Sequence, residues 1–457
     1  YNGVARERVF ETAFLEYGSM ESMTAPTGRK MFFLTDPIED RGRDWQDYKR
    51  NYEATFTAQL LYPGIDNYEV MPWPDRIYEG LYRTSAGSDE RERIPRRYST
   101  QMQVMINVLN DMPVSDNRVS GSHGIRVLMG NSLMFQRFPT HEGYEDPQLS
   151  NFYGMALPLL KRGVPVGIAH IENLSYEQAL KDTKVLVMSY SNMKPLTQES
   201  HDYIASWVAD GGMLVYCGRD NDPYQRVSEW WNNGENTYPA PSAHLFEKMG
   251  IEQSAPRGEY HYGKGRVAVI RQDPKEFVLD AGGDAEFVNI ISSLYLEGGV
   301  KLEFKNYLCL ERGNYDLIAV MDESVDDRAY VAEGKFIDLY DPSLPVLSEK
   351  MVAPGQQALL YNLSRVKDRR KPQVLASASR VYDETASRRS YSFVAKSPAD
   401  TDNAMRILLP AGPAVPVAAS VATGEALKTA SSWDSGSKTL FLSFENDPDG
   451  VKVEFKW

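Results

Sequence analysis

Cysteine is scarce: there are two in 457 residues, Cys217 and Cys309. Two thiols make no disulfide framework. Each lies in an apolar, strand-like run, so both are expected to be buried free thiols. Six histidines are scattered with no HxxxH spacing, and no CxxC accompanies them, so no structural metal or other cofactor is expected. No run reaches the ~18 apolar residues of a membrane-spanning helix, so membrane insertion is not expected. Positive charge is also in deficit. Fifty Lys and Arg stand against 63 Asp and Glu, a formal charge of −13, the wrong sign for a nucleic-acid partner or an acidic membrane. The densest basic run, 91–97 (RERIPRR), is interrupted by Glu92 and reads as a solvated loop. The sequence opens on Tyr1 without Met. A removed leader would place the protein in the periplasm or outside the cell; missing upstream residues are the other reading, which the N-terminal segment favours.

What is present is organised around residues 184–218. Residues 184–189 form a continuous apolar run of strand length, as in a strand covered on both faces. Thr197 is the expected cap of the next helix, Ile204, Trp207 and Val208 recur at helical spacing, and Gly211-Gly212 stops it. Residues 213–217 are a second buried strand. The unit is βαβ with a parallel pair.

Before it, residues 1–20 carry a helical stripe (Val9, Phe10, Ala13, Phe14, Tyr17) that Gly18 is expected to close. A strand at 30–35 runs into the acidic loop DPIED, a helix at 44–61 takes Asp44 as cap, a short strand at 68–71 stops at PWP, and a third helix spans 99–109. This is α/β alternation. Two strands make no sheet that stands alone, so the segment reads as the tail of something larger. Residues 118–298 hold five or so strands alternating with helices, a doubly wound sheet. From about residue 301 short alternating strands separated by turns indicate β-sandwich structure. The basic stretch SRVKDRRK, between Leu363 and Pro372, links two sandwich modules or joins halves of one, with two favoured.

The pieces NFYGMALPLLKRGVPV, TKVLVMSYSNMKPL, WVADGGMLVYCGRD and YGKGRVAVI, in that order, resemble the class I glutamine amidotransferase-like fold. The version is the one used as the middle domain of some β-galactosidases, where it follows a (β/α)8 barrel and mediates trimerisation. MFFLTDPIED, WQDYKRNY and YEVMPWPDRIY look like the seventh and eighth units of such a barrel. The resemblance implies a multidomain chain: the end of a barrel over 1–117, an amidotransferase-like α/β domain over 118–298, and all-β sandwich domains over 299–370 and 371–457. It implies the C-terminal portion of a glycoside hydrolase acting on oligo- or polysaccharides, and a homo-oligomer formed through the amidotransferase-like domain.

Such chemistry uses two carboxyls flanking the glycosidic bond, presented from the C-terminal ends of barrel strands. In these enzymes the nucleophile comes from the seventh strand and the acid/base from the fourth, which has no counterpart here. Glu39 is the nearest positional match to the nucleophile and Asp36 the second; a helix-capping or salt-bridged loop before Asp44 is the competing account of DPIED. Trp73, boxed by Pro72 and Pro74, suits stacking on a sugar ring or else packs in the core. Glu69, Asp75 and Arg76 complete the candidate substrate-binding set, although Arg76 is also placed to pair with Asp75 or Glu79. Trp230-Trp231 should divide into one buried and one partly exposed ring.

A glutaminase would need Cys on a strand-to-helix elbow with a His partner. Here the elbow holds Ser191-Asn192-Met193, Cys217 lies inside the next strand, and His201 reads as a surface residue of the intervening helix. Ser189 and Ser191 lack a GxSxG setting. Two alternatives to the glycosidase therefore stand: a non-catalytic oligomerisation or carbohydrate-binding protein, and, more weakly, an amidotransferase-like hydrolase.

Overall fold

The computed structural model describes residues 8–35, 44–70, 75–85, 87–136, 146 and 149–457. In chain order come α1 (Val9–Thr24), β1 (Phe33–Thr35), α2 (Trp45–Leu60), β2 (Tyr68–Val70), α3 (Asp75–Tyr78), the hairpin β3 (Leu81–Arg83) and β4 (Arg91–Arg93), and α4 (Arg96–Asp111). Then follow β5 (Ile125–Met129), α5 (Ser150–Leu160), β6 (Gly167–His170), β7 (Val185–Ser189), α6 (Glu199–Ala209), β8 (Met213–Cys217), α7 (Pro241–Lys248), β9 (Gly258–Tyr262), β10 (Gly265–Ile270) and α8 (Ala285–Glu297). The remainder is β: β11 (Tyr307–Arg312), β12 (Tyr315–Val320), β13 (Tyr330–Asp338), β14 (Val346–Val352), β15 (Gln357–Asn362), β16 (Gln373–Ser377), β17 (Arg380–Ala386) and β18 (Ser390–Lys396). It ends with β19 (Asp402–Leu408), β20 (Val417–Ser420), β21 (Ala430–Asp434), β22 (Thr439–Glu445) and β23 (Val451–Lys456). Mixed α/β structure followed by β-sheets is the multidomain class that the sequence indicates. The chain forms two compact units: Tyr1–Met31 with Ser120–Leu308 and Met321–Asp327, and Phe32–Val119 with Cys309–Val320 and Arg328–Trp457.

The first unit is built on a six-stranded sheet of order β6-β5-β7-β8-β10-β9. All neighbours run parallel except the β9–β10 hairpin. All five residues of β7 are buried, as a strand packed on both faces requires. On one face Leu186, Met188, Leu214 and Tyr216 meet Ile204 and Val208 of α6 and Leu245 and Phe246 of α7. Gly265 lets the hairpin approach this layer: a Cβ there would lie 2.2 Å from the Gly212 and Val208 carbonyl oxygens. Helix α1 buries its predicted stripe, but it continues through buried Gly18 to Thr24. A mid-helix glycine costs only about 1 kcal/mol, and a turn at Ala25–Thr27 ends the helix instead. Helix α6 begins at Glu199 after Gln198, so Thr197 is not its side-chain cap; the Thr197 carbonyl accepts from Ser200 Oγ at 2.9 Å.

The second unit opens on βαβ: β1 and β2 are parallel, with Phe33, Leu34 and Thr35 opposite Tyr68, Glu69 and Val70. Asp44 caps α2 as expected, its side chain accepting from the Asp47 N–H at 2.8 Å. A five-stranded sheet, β11-β12-β15-β13-β14, packs against α2 through β12 and β15. Two four-stranded sheets, β16-β19-β22-β21 and β17-β18-β23-β20, form a sandwich. Its core draws alternate residues from each sheet: Tyr391, Phe393, Val453 and Phe455 face Met405, Ile407, Leu440 and Leu442. Helix α4 lies on this sandwich, with Thr100 Oγ1 donating to the Asp402 carbonyl at 2.9 Å and Asn107 Nδ2 to that of Ser377 at 3.0 Å.

Candidate functional site

Asp36, Glu39 and Trp73 lie outside the described residues. Their neighbours are defined. Thr35 and Val70 are register partners at the C-terminal ends of the parallel β1–β2 pair, with α2 between the two strands in the chain. Glu69 lies opposite Leu34 and is exposed, and Asp75 opens α3, also exposed, with its carbonyl accepting from the N–H groups of Glu79 and Gly80. Arg76 follows in α3. Glu79 pairs with Arg93 at 2.8 Å. Phe32 is 61% exposed and Leu34 41%, so the pair presents an apolar, uncovered flank.

The elbow after β7 holds a serine hydroxyl against a carboxylate, with no histidine hydrogen-bonded to that serine among the described residues. Asn192 has φ 54°, Ser191 Oγ donates to Asp273 at 2.6 Å, and Lys194 is tied to Asp222 at 2.8 Å. Cys217 is fully buried, and that burial pushes its thiol far up, away from a thiolate. Cys309 is half-buried rather than buried. His201 corrects the surface reading. It is fully buried, with Nε2 2.7 Å from Tyr190 Oη and Nδ1 2.8 Å from His244 Nδ1. Its helix turns that face onto the sheet, where an aromatic layer including Trp230 surrounds it. Trp231 is buried and Trp230 half-buried, as expected.

A cavity of about 700 Å³ opens elsewhere, inside the second unit, a size typical of small-molecule sites. Trp45, Lys49 and Glu53 occupy successive turns of one face of α2, Tyr98 and Gln101 come from α4, and Asp338 ends β13. Glu53 accepts from Lys49 and from Gln101. Burial raises the Glu53 carboxyl above its usual value, against the pull of Lys49. Asp338 accepts from Lys350 at 2.6 Å and from the Tyr340 N–H at 3.1 Å. Tyr340 Oη lies 2.7 Å from Thr57 Oγ1, which fixes the loop to α2. The rings of Trp45 and Tyr98 are 6.2 Å apart. Sequence reasoning missed this site. The i, i+4, i+8 spacing of Trp45, Lys49 and Glu53 on a recognised helix was the available signal; its β-sheet wall carries no local mark.

Among the described residues no cluster of His, Cys, Asp and Glu suits a metal ion, and no helix is long and apolar enough to cross a membrane. No family model matches the chain, and no curated protein matches it. Solved structures do. A β-galactosidase from Bacillus circulans sp. alkalophilus is 13% identical over 77% of this chain and 58% of its own, with a TM-score of 0.45. An exo-carrageenase GH42 from Bacteroides ovatus is 10% identical, covering 76% and 43%, TM-score 0.34. A rhamnosidase from Novosphingobium sp. PP1Y is 9% identical, covering 92% and 42%, TM-score 0.34. The chain thus spans a little over half the length of the β-galactosidase.

Proposed function

We propose that this chain is the C-terminal portion of a glycoside hydrolase that acts by a paired-carboxylate mechanism on oligo- or polysaccharides. The observation that carries the reading is the β1–β2 pair. Two parallel strands joined through a helix and ending in register at Thr35 and Val70, with Phe32 and Leu34 exposed, support reading the pair as part of a larger parallel sheet. The acidic segment 36–40 follows β1 immediately, where a closed barrel presents catalytic groups. In this reading Glu39, or else Asp36, supplies one carboxyl, and the other comes from strands upstream. Trp73 stacks on a sugar face, and Glu69, Asp75 and Arg76 bind hydroxyls. Residues 118–298 are an amidotransferase-like domain through which the protein forms homo-oligomers, and 299–370 and 371–457 are sandwich domains.

The test is hydrolysis of aryl glycosides by the protein extended with the upstream sequence that its gene encodes. Turnover should fall by roughly 10²–10⁴ in Glu39→Gln or in Asp36→Asn. Full turnover in both variants, or none in the extended parent, would sink the proposal.

A further inference from the structure

The cavity over α2 and α4 sorts its charges by exposure. Four cations line it, Lys49, Arg50, Arg97 and Lys350, against three carboxylates, Glu53, Asp338 and Asp341. The Glu53 and Asp338 side chains are 14% and 6% exposed, whereas those of Arg50 and Arg97 are 68% and 75% exposed. A molecule entering from solvent therefore meets guanidinium groups before it meets the two sheltered acids. Burial also raises the Glu53 carboxyl above its usual value, which widens the positive surplus.

Hydrogen bonding points the same way. The lining carboxylates are already engaged: Glu53 accepts from Lys49 and Gln101, and Asp338 from Lys350 at 2.6 Å and the Tyr340 N–H at 3.1 Å. Asp341 accepts from the Ser343 N–H at 2.8 Å and from its hydroxyl at 2.7 Å. The donors have capacity to spare. Lys49 and Lys350 each commit one ammonium hydrogen, to Glu53 and to Asp338, and Arg50 commits one N–H, to Asp47 at 3.0 Å. Arg97 makes no hydrogen bond among the described residues, its ion pair with Asp341 being 3.6 Å long. Helix α4 opens at the same wall with Pro95 as N-cap and no acid in its first turn, so its dipole adds to the positive potential. Half-buried Trp45, with Pro95 and Pro342, gives the wall an apolar part. Surplus donors beside an aromatic face match a ring that carries negative charge.

From this we infer that the cavity formed by α2, α4 and the β13–β15 end of the five-stranded sheet binds a small organic anion, a ring bearing a carboxylate, sulfate or phosphate group. Arg97 and Arg50 donate to the anionic group, Lys49 and Lys350 add charge behind them, and Trp45 packs on the ring. The inference does not rest on the glycosidase reading.

Isothermal titration calorimetry on the whole chain at low ionic strength tests it. Galacturonate, galactose-6-sulfate and glucose-6-phosphate are the anionic probes and separate the three head groups. Methyl β-galactoside lacks the charge and inorganic phosphate lacks the ring. At least one anionic sugar should bind, more tightly than either control, and should weaken as salt is added. Arg97→Gln removes a side chain held mostly in solvent, so it should leave thermal stability unchanged while weakening that probe roughly three- to tenfold. Arg97→Glu should weaken it further, and Trp45→Ala should bring its affinity down toward that of inorganic phosphate. The inference is overturned if no anionic sugar binds, if either control binds as tightly, or if both Arg97 variants keep parental affinity. Parental affinity in folded Trp45→Ala overturns it as well, and the Arg97 variants decide the matter should Trp45→Ala fail to fold. Because the readout is anion binding, failure here leaves the hydrolysis assay free to succeed, and the converse.

Discussion

Glu11 shows how one side chain imposes a pH dependence. It sits in the buried face of α1 at 3% exposure, and burial pushes its carboxyl from 4.5 to about 7 against the weaker pull of Arg8. A carboxyl whose value is raised by folding binds its proton more tightly in the native state, so its contribution is favourable in acid and is lost as pH climbs from about 4.5 to about 7. Glu11→Gln should therefore match the parent at pH 4 and exceed it by about 3 kcal/mol at pH 8 in urea unfolding. Equal stability at pH 8 would show that folding does not raise the Glu11 carboxyl. His201 acts in the opposite sense. Burial first, and His244 second, depress its basicity, so that its stabilisation is present above about pH 6.5 and fades as the solution is acidified. Neither effect is legible in sequence. Glu11 interrupts an apolar stripe as any solvated residue would, and His201 occupies a helix position whose burial depends on α7, distant in the chain.

Elements were more legible than their environments. Strands β7 and β8, helix α6 and the Gly211-Gly212 stop emerge from local patterns, because a buried parallel strand is apolar throughout and a helix ends where glycine frees the backbone. Boundaries slipped where tertiary packing outweighed propensity, as at Gly18 and Thr197. Long-range anchoring was invisible, and Arg312 is the clearest case. Fully buried at the end of β11, it donates to the Pro113 carbonyl at 2.6 Å, to those of Leu60 at 3.2 Å and Tyr62 at 3.4 Å, and to that of Ile65. Several of these carbonyls lie at or just past the C-terminal end of α2, where a helix leaves acceptors unpaired and its dipole favours a cation. Arg312→Met fills the volume but orphans them, and should cost about 3 kcal/mol or more in chemical denaturation. Arg312→Lys should recover only part, since one ammonium lacks the forked donors. A loss below 1 kcal/mol for Arg312→Met would mean that water replaces the guanidinium.

At the scale of the molecule, neither unit is a single stretch of chain. The backbone passes from one to the other after residues 31, 119, 308, 320 and 327. Helix α1 belongs to the first unit although the greater part of that unit starts at Ser120, and Ser19 Oγ meets His170 Nε2 of β6 at 3.2 Å while Asn173 donates to the Met23 carbonyl at 2.9 Å. A fragment of residues 120–327 should consequently bind a hydrophobic dye and melt below the intact chain, and adding a peptide of residues 8–28 should reverse both. An unaltered melting point would make α1 dispensable. Periodicity reads such an arrangement poorly, because it reports neighbours in sequence and not which remote segment closes a core. The interleaving also bears on biosynthesis. On the ribosome the first unit reaches its last segment at Asp327, while the second, begun at Phe32, is held open until the strands beyond Arg328 emerge. For much of translation its early segments, with Phe33, Tyr52 and Phe56 that the finished fold buries, are therefore the natural clients of chaperones.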